Sequence, residues 1–381
     1  MKYTTSYPFF EDDDIEEILL KTRQFLKGEG MLSMGKYVEE FENNFSHYIG
    51  SKGAVATNSC TSALEISLLA LETGPGDEVI IPVQTFIATG SSVLRTGAKP
   101  VFCNINENFL LDFKSLKEKI TSSTKSVILV HYAGLLHEEI EEIRSYLKQK
   151  KIYLIEDAAH APGASINNKK AGNFGDISCF SFFSTKNMTT GEGGMITSNN
   201  AKLLNRCSSI RNRGLDLESD VEIFNTLGGN YRMTEFQALL GIYQLKRLDK
   251  INQHRNKIAK IYLNNLQECQ EKGLLQFPEV HKDIEHVYWR FWVRLKEGID
   301  RKKVKNHLSE KSISSDWAYS PLLHLQPLFK GILEKDSVKM QRSEKLASTH
   351  ICLPIHTLVT EEGAEFISKS MSDYLKKNYD S

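Results

Sequence analysis

Short apolar runs with strand character recur between helical stretches, and that alternation leaves the chain few architectures. The runs are EVIIP (78–82), KPVFC (99–103), SVILV (126–130), IYLIED (152–157), ISCFSFF (177–183) and GMITS (194–198). Between them TSALEISLLALE (61–72), SLKEKI (115–120) and EEIEEIRSYLKQK (138–150) read as helices. Strands alternating with helices predict an α/β fold built on a mostly parallel sheet with both faces covered. The last third reads differently. A long helical stretch from about Thr234 to Glu271 leads into HVYWRFWVRL, which alternates like a strand, and then into the helix-like RKKVKNHLSEK and EEGAEFISKSMSDYLKK. This predicts a large domain over residues 1–245 and a smaller C-terminal α+β domain over 246–381. A chain of 381 residues is long enough for both cores.

Charge excludes some partners. Lys plus Arg and Asp plus Glu are 48 each, so nothing predicts binding to nucleic acid or to a membrane surface. The segment MKYTTSYPFFEDDDIEE is acidic and lacks the apolar stretch of a signal peptide, and no apolar run is long enough for a membrane span. The six cysteines form no C-x-x-C pair, and free thiols in a reducing cytoplasm are the expectation. The eleven histidines show no ligand spacing such as H-E-x-x-H, so no metal is expected.

Three stretches carry chemistry. In TNSCTSALEISLLALE a turn at Asn58-Ser59-Cys60 enters a helix at Thr61-Ser62-Ala63. Amides at a helix N-terminus beside small hydroxyls make an anion site, although an ordinary cap by Asn58 or Ser59 explains the same residues. In IEDAAHAPGA a strand ends in Glu156-Asp157, followed by His160. The carboxyl end of a parallel strand is where α/β folds place ligands, and an Asp there holds a cation or merely caps a helix. In CFSFFSTKNMTTGEGG one lysine, Lys186, stands among hydroxyls, aromatics and glycines, 29 residues after Asp157, with Ser181 on the same segment. Desolvation in such a setting lowers a lysine's pKa and frees the amine as a nucleophile; the alternative is a surface lysine after a strand. Together, an anion site, an aspartate at a strand end and an isolated lysine are what pyridoxal 5′-phosphate requires for its phosphate, ring nitrogen and aldehyde. A phosphate-loop hydrolase is excluded, because G-x-x-x-x-G-K-[ST] is absent.

With these stretches in place, the chain resembles the DegT-type sugar-nucleotide aminotransferases, which have the aspartate-aminotransferase fold. The resemblance runs nearly end to end through GMLSMGKYVEEFENNFSHYIGSKGAVATNSCTSAL, GPGDEVIIPVQTFIATGSSVLRTGAKPVFCNIN, IEDAAHAPGA, GDISCFSFFSTKNMTTGEGGMITS, GGNYRMTEFQALLG and HICLPIH. It implies a seven-stranded-type sheet of the pyridoxal-phosphate-dependent transferase fold type I. It also implies that Lys186 bonds covalently to the cofactor's aldehyde and Asp157 pairs with the ring nitrogen. A carboxylate and a ring cation in contact attract by roughly 5 kcal/mol at an effective dielectric near 20. His160 is expected near the ring, Phe86 stacked on it, and Thr61, Ser62 and Ser181 on the phosphate. Asn230 is expected to reach the phosphate in the neighbouring subunit, which makes the protein a homodimer with shared sites.

Arg232, Tyr319 and His324 are implied as substrate contacts, although YSPLLHLQP has one residue more between Pro321 and His324 than the family's usual Y-x-P-x-H-x-Q-P. IRNRG carries Arg213 where many relatives have His, and HYAGLLHEE lacks the common Asp-rich ending. The aromatic VYWRFWV is read as a core-facing strand rather than a sugar-stacking platform. The activity implied is transfer of an amino group from glutamate to a keto sugar nucleotide, for surface polysaccharide such as O-antigen or for natural-product amino sugars. The presence of lysine, where a dehydrating branch has histidine, favours transamination. The TTGEGG loop points to C4 of a 4-keto-6-deoxy sugar. The alternatives are a C3-specific enzyme and a non-catalytic cofactor-binding regulator of the same fold.

Overall fold

The strand-forming runs assemble in an order that does not follow the chain, and this creates the crevice for a site. A computed structural model describes residues 2–332 and 340–380. The large-domain strands are β1 (Gly53–Thr57), β2 (Glu78–Pro82), β3 (Lys99–Cys103), β4 (Thr124–Val130), β5 (Tyr153–Asp157), the short β6 (Ser165–Ile166) and β7 (Lys169–Lys170), β8 (Ile177–Ser181) and β9 (Gly194–Ser198). Seven of them form one sheet in the order β1-β9-β8-β5-β4-β2-β3. From β3 to β8 the neighbours are parallel, while β9 runs antiparallel to both β8 and β1. Strands covered on both faces read as unbroken apolar runs, and Ile80, Ile81, Val127 and Ile128 are all fully buried.

The helices of this domain are α1 (Asp12–Leu26), α2 (Lys36–Ile49), α3 (Cys60–Ala70), α4 (Ile87–Arg95), α5 (Phe113–Lys119), α6 (Ile140–Gln149) and α7 (Ala201–Arg211), followed by the long α8 (Glu235–Glu271). Helix α8 starts where it does because Thr234 and Gln237 form a reciprocal capping box. Its first residue, Glu235, is buried and accepts hydrogen bonds from the N–H groups of Gly35, Tyr37 and Val38, which places an anion at the positive end of α2.

The 245/246 division expected from sequence falls inside α8. The helix carries Leu248 to the large core and Ile258, Tyr262 and Leu266 to a second one. That second core is closed by β10 (Leu275–Gln276), β12 (Phe291–Leu295) and β13 (His350–Leu353) with α9 (Arg301–Glu310) and α11 (Glu361–Tyr379); β11 (Ile284–Glu285) pairs instead with β6, and α10 (Gln341–Thr349) precedes β13. Among the described residues no helix is long and apolar enough to cross a membrane, and all six cysteines are buried and unpaired.

Two readings of the sequence are corrected. The strand expected across HVYWRFWVRL begins only at Phe291, because Tyr288 adopts a left-handed backbone (φ 45°) and turns the chain just before it. The run ISCFSFF likewise ends as a strand at Ser181. Helix α4 escaped sequence reading because IATGSSVLR is poor in intrinsic helix formers; packing selects it.

Gly194 on β9 lies against the start of α3. A Cβ there would fall 2.5–2.6 Å from backbone atoms of Ser59 and Cys60. Gly194→Ala should therefore cost about 1–3 kcal/mol of stability, as overpacking does, and should loosen whatever the α3 N-terminus holds. Urea unfolding of wild type and variant checks this; an unchanged midpoint would contradict it.

Candidate active site

The carboxyl ends of β4, β5 and β8 open into a cavity of about 460 Å³, closed by the first turn of α3, the segment before α4, and residues 289–290 and 316–319. Ligands in open α/β sheets sit at this end of the strands.

Asp157 ends β5 and lines the cavity, buried. Its carboxylate accepts from the Thr89 hydroxyl at 2.9 Å and from the Ala159 N–H at 3.2 Å. Thr89 is in turn held by Thr85, 2.7 Å away. Among the described residues Asp157 has no ion-pair partner. Burial pushes its pKa up, against the pull of Thr89, Ala159, Lys186 and His131. A buried carboxylate with two neutral donors and no ion pair among the described residues can receive a cationic group of a ligand.

Lys186 follows β8 and is half-buried where it lines the cavity. The protein packed around it, more than any single charge, pushes its pKa down to about 8; Cys60 and Asp157 oppose that shift and Arg290 reinforces it. The segment is fixed on both sides. The Trp289 indole N–H donates to the Thr185 carbonyl at 2.9 Å, and Asn187 donates to Asn252 and to the Val287 carbonyl. The lysine Nζ lies 4.3 Å from the Trp289 ring centre.

His160 stacks on Trp289, with centroids 3.7 Å apart and planes 7° from parallel. Its Nε2 is 2.7 Å from the Tyr319 hydroxyl, while Nδ1 has no partner among the described residues. Burial, then the charges of Lys186, Arg290 and His131, hold its pKa well below the usual value, so the ring is neutral.

The other expected residues divide. Thr61, Phe86, Ser181 and Tyr319 line the cavity, and the Phe86 ring is 52% exposed. Ser62 does not line it: its hydroxyl donates to Asn58 at 2.7 Å and pairs with Ser59, the residue that caps α3. His324 also lies elsewhere, buried with Nε2 2.9 Å from Glu344. The extra residue after Pro321 continues into a 3-10 turn, Leu323–Leu325, that carries the ring away. Arg232 donates to Asn212, and Asn230 is exposed; neither lines the cavity of its own chain. Sequence reading missed Thr89, Trp289, Arg290 and Asp316. Thr85 and Thr89 stood in VQTFIATG at helical spacing, and the break in alternation at Tyr288 was not visible as sequence.

Fold and cavity define the class: an enzyme of the fold type I pyridoxal-phosphate transferases, with a lysine and a buried carboxylate at the strand ends. The chain belongs to the DegT/DnrJ/EryC1/StrS aminotransferase family, whose profile it matches over residues 12–372. It is 33% identical to the GDP-perosamine synthase of Escherichia coli O157:H7, over 90% of this chain and 91% of that one. It is 31% identical to the 3-oxo-glucose-6-phosphate:glutamate aminotransferase of Bacillus subtilis, over 96% and 82%. A putative sugar aminotransferase from Streptococcus pneumoniae, solved in its PLP form, superposes with a TM-score of 0.87 at 27% identity over 98% of each chain.

The lowered pKa of Lys186 has a direct consequence. Below about pH 8 the amine holds its proton and is inert; above it the amine is free, whereas an ordinary lysine waits until about 10.5. In cofactor-free protein, trinitrobenzenesulfonate labelling of Lys186, read by peptide mass, should be half-maximal near pH 8. A midpoint near 10 would contradict the desolvated site.

Proposed function

We propose that this aminotransferase moves an amino group from glutamate to a keto sugar nucleotide, at C4 of a 4-keto-6-deoxy sugar, using pyridoxal 5′-phosphate. The observation that carries the reading is Lys186 in one cavity with a buried Asp157 that makes no ion pair among the described residues. The named relatives act on sugars, one is named for glutamate, and one structure is a PLP form. The TTGEGG loop after Lys186 supports C4; the 3-oxo relative supports the second reading, a C3-specific enzyme.

The residues fit the cofactor. Asp157 would accept a hydrogen bond from the protonated ring nitrogen, and His160, whose Nδ1 has no partner among the described residues, would stand beside the ring. Phe86, exposed at the cavity wall, would cover a ring face. The first turn of α3 from Thr61, with Ser181, takes the phosphate as a helix N-terminus takes an anion. Ser62 contributes through its place in that turn, since its hydroxyl is already engaged. When bound, the cofactor carries the amino group between substrates and draws off the electron pair left by the substrate's Cα proton. Lys186 Nζ, whose pKa burial lowers, would remove that proton and return it. Thr89 and Thr85 keep Asp157 pointed at its partner.

A second copy of the chain completes the site in this reading. Exposed apolar side chains stand along α1 and the following loop (Leu19, Leu20, Leu26, Met31) and on the segment before Asn230 (Val221, Leu227 at 83%). Such patches mark an interface, and in this reading Asn230 and Arg232 serve the partner's cavity rather than their own. Buried free cysteines fit a reducing compartment such as the cytoplasm.

The test is a panel of keto-sugar nucleotides with glutamate, read by product mass. Wild type should aminate a 4-keto-6-deoxy acceptor. Lys186→Ala should keep the cofactor without a covalent bond and lose turnover by several orders of magnitude. Turnover at the wild-type rate in that variant would remove Lys186 from its role; selective amination of a 3-keto acceptor would favour the second reading.

A further inference from the structure

In the amino-transfer reading Lys186 has two states: bonded to the cofactor between turnovers, and a free amine while it moves a proton. The free amine needs a place of its own. Among the described residues its Nζ makes no hydrogen bond and no ion pair; what it meets is the face of Trp289, 4.3 Å from the ring centre. Trp289 is 4% exposed and lines the same cavity. The left-handed Tyr288 (φ 45°) turns the chain just before it, so the indole does not follow the alternation of β12. Two further contacts fix its plane. The His160 ring is stacked on it, 3.7 Å away and 7° from parallel, and the indole N–H donates to the Thr185 carbonyl at 2.9 Å. One side chain therefore grips the residue before the lysine and also presents its face to the lysine's amine.

A π face suits a group that must both gain and lose a proton. Its quadrupole attracts an ammonium, most strongly where water is excluded, and it has no site for the proton itself. A carboxylate in contact with the amine would hold the charge harder and leave it a poor base. We propose that Trp289 is the rest for the Lys186 amine in the steps when that amine is not bonded to the cofactor, a positioning residue that keeps Nζ in the cavity and off the Asp157 carboxylate. This rests on the amino-transfer reading above and adds a residue to it. The other charges near the amine are accounted for: Cys60 and Asp157 draw its pKa up and Arg290 pushes it down. Glu192, Asp316, Tyr319 and the neutral His160 line the same cavity. A substitution at Trp289 leaves every one of these groups in place. If Trp289 were only a wall, a smaller apolar side chain there would admit water, ease the burial of the amine and raise its pKa. Loss of a π face lowers it, so the two roles differ in sign.

Three measurements on the full chain test it. In cofactor-free protein, trinitrobenzenesulfonate labelling of Lys186, half-maximal near pH 8 in wild type, should move down by about half to one pH unit in Trp289→Leu. Trp289→Phe, which keeps a weaker face, should fall between the two and serves if the leucine variant does not fold. Tryptophan emission of the wild type should show a step near pH 8 that is missing from Lys186→Met, a comparison that leaves Trp289 untouched. Protein loaded with pyridoxal phosphate is then mixed with glutamate in single turnovers. Trp289→Leu should lower the limiting rate by about 3- to 10-fold and leave the half-saturating glutamate concentration unchanged. An unchanged or raised labelling midpoint in Trp289→Leu, the same emission step in Lys186→Met, or a loss confined to half-saturating glutamate would each overturn the assignment. A wild type inert to glutamate whose labelling midpoint still falls in Trp289→Leu would overturn the transfer reading instead and leave the contact between amine and indole standing.

Discussion

A carboxylate buried without a countercharge is costly, and the site is organised around one. Strand β5 ends in two acidic residues that are equally hidden and differently treated. Glu156 accepts from the His131 ring, from the N–H groups of Gly172, Phe174 and Gly175, and from the Ser178 hydroxyl. Burial raises its pKa, but the His131 ring and the backbone donors outweigh it, and the carboxyl lies below the usual range. Asp157, on the other face, meets one hydroxyl and one N–H, and its pKa stays raised. Glu156 is satisfied by the fold; Asp157 meets two neutral donors and faces the cavity.

The cavity inherits its other properties from that arrangement. Mostly parallel neighbours bring β4, β5 and β8 to the same end, so Asp157 and Lys186 arrive together although a hairpin, β6–β7, separates them in the chain. The segment that follows α8 closes the opposite wall and fixes the lysine's flanks through Trp289. Lys186 then loses its proton more readily because it is enclosed, not because any one neighbour demands it. Rigid surroundings and a shifted amine are one consequence of the same packing.

Much of this was legible in the sequence. Lys186 was conspicuous for its uncharged neighbours, Asp157 for closing an apolar strand, and α8 for its length. What could not be read was direction. Ser62, next to Thr61 and identical in kind, turns its hydroxyl to Asn58 because helical geometry puts it there. His324 points at Glu344 from the 3-10 turn that follows Pro321, where the chain has one residue more than the family's usual spacing. Thr89 reaches Asp157 across 68 positions of sequence, a contact made by packing alone. Trp289 and Arg290 were hidden in an alternation that a strand and a turn share until a left-handed residue separates them.

The central claim is that Asp157 keeps the cofactor's ring nitrogen protonated. Nitrogen-15 NMR of protein loaded with ring-labelled pyridoxal phosphate measures that proton directly. The account predicts a protonated-nitrogen shift in wild type throughout pH 6–9 and its loss in Asp157→Asn. A deprotonated ring in wild type, or the same protonated signal in the variant, would contradict it.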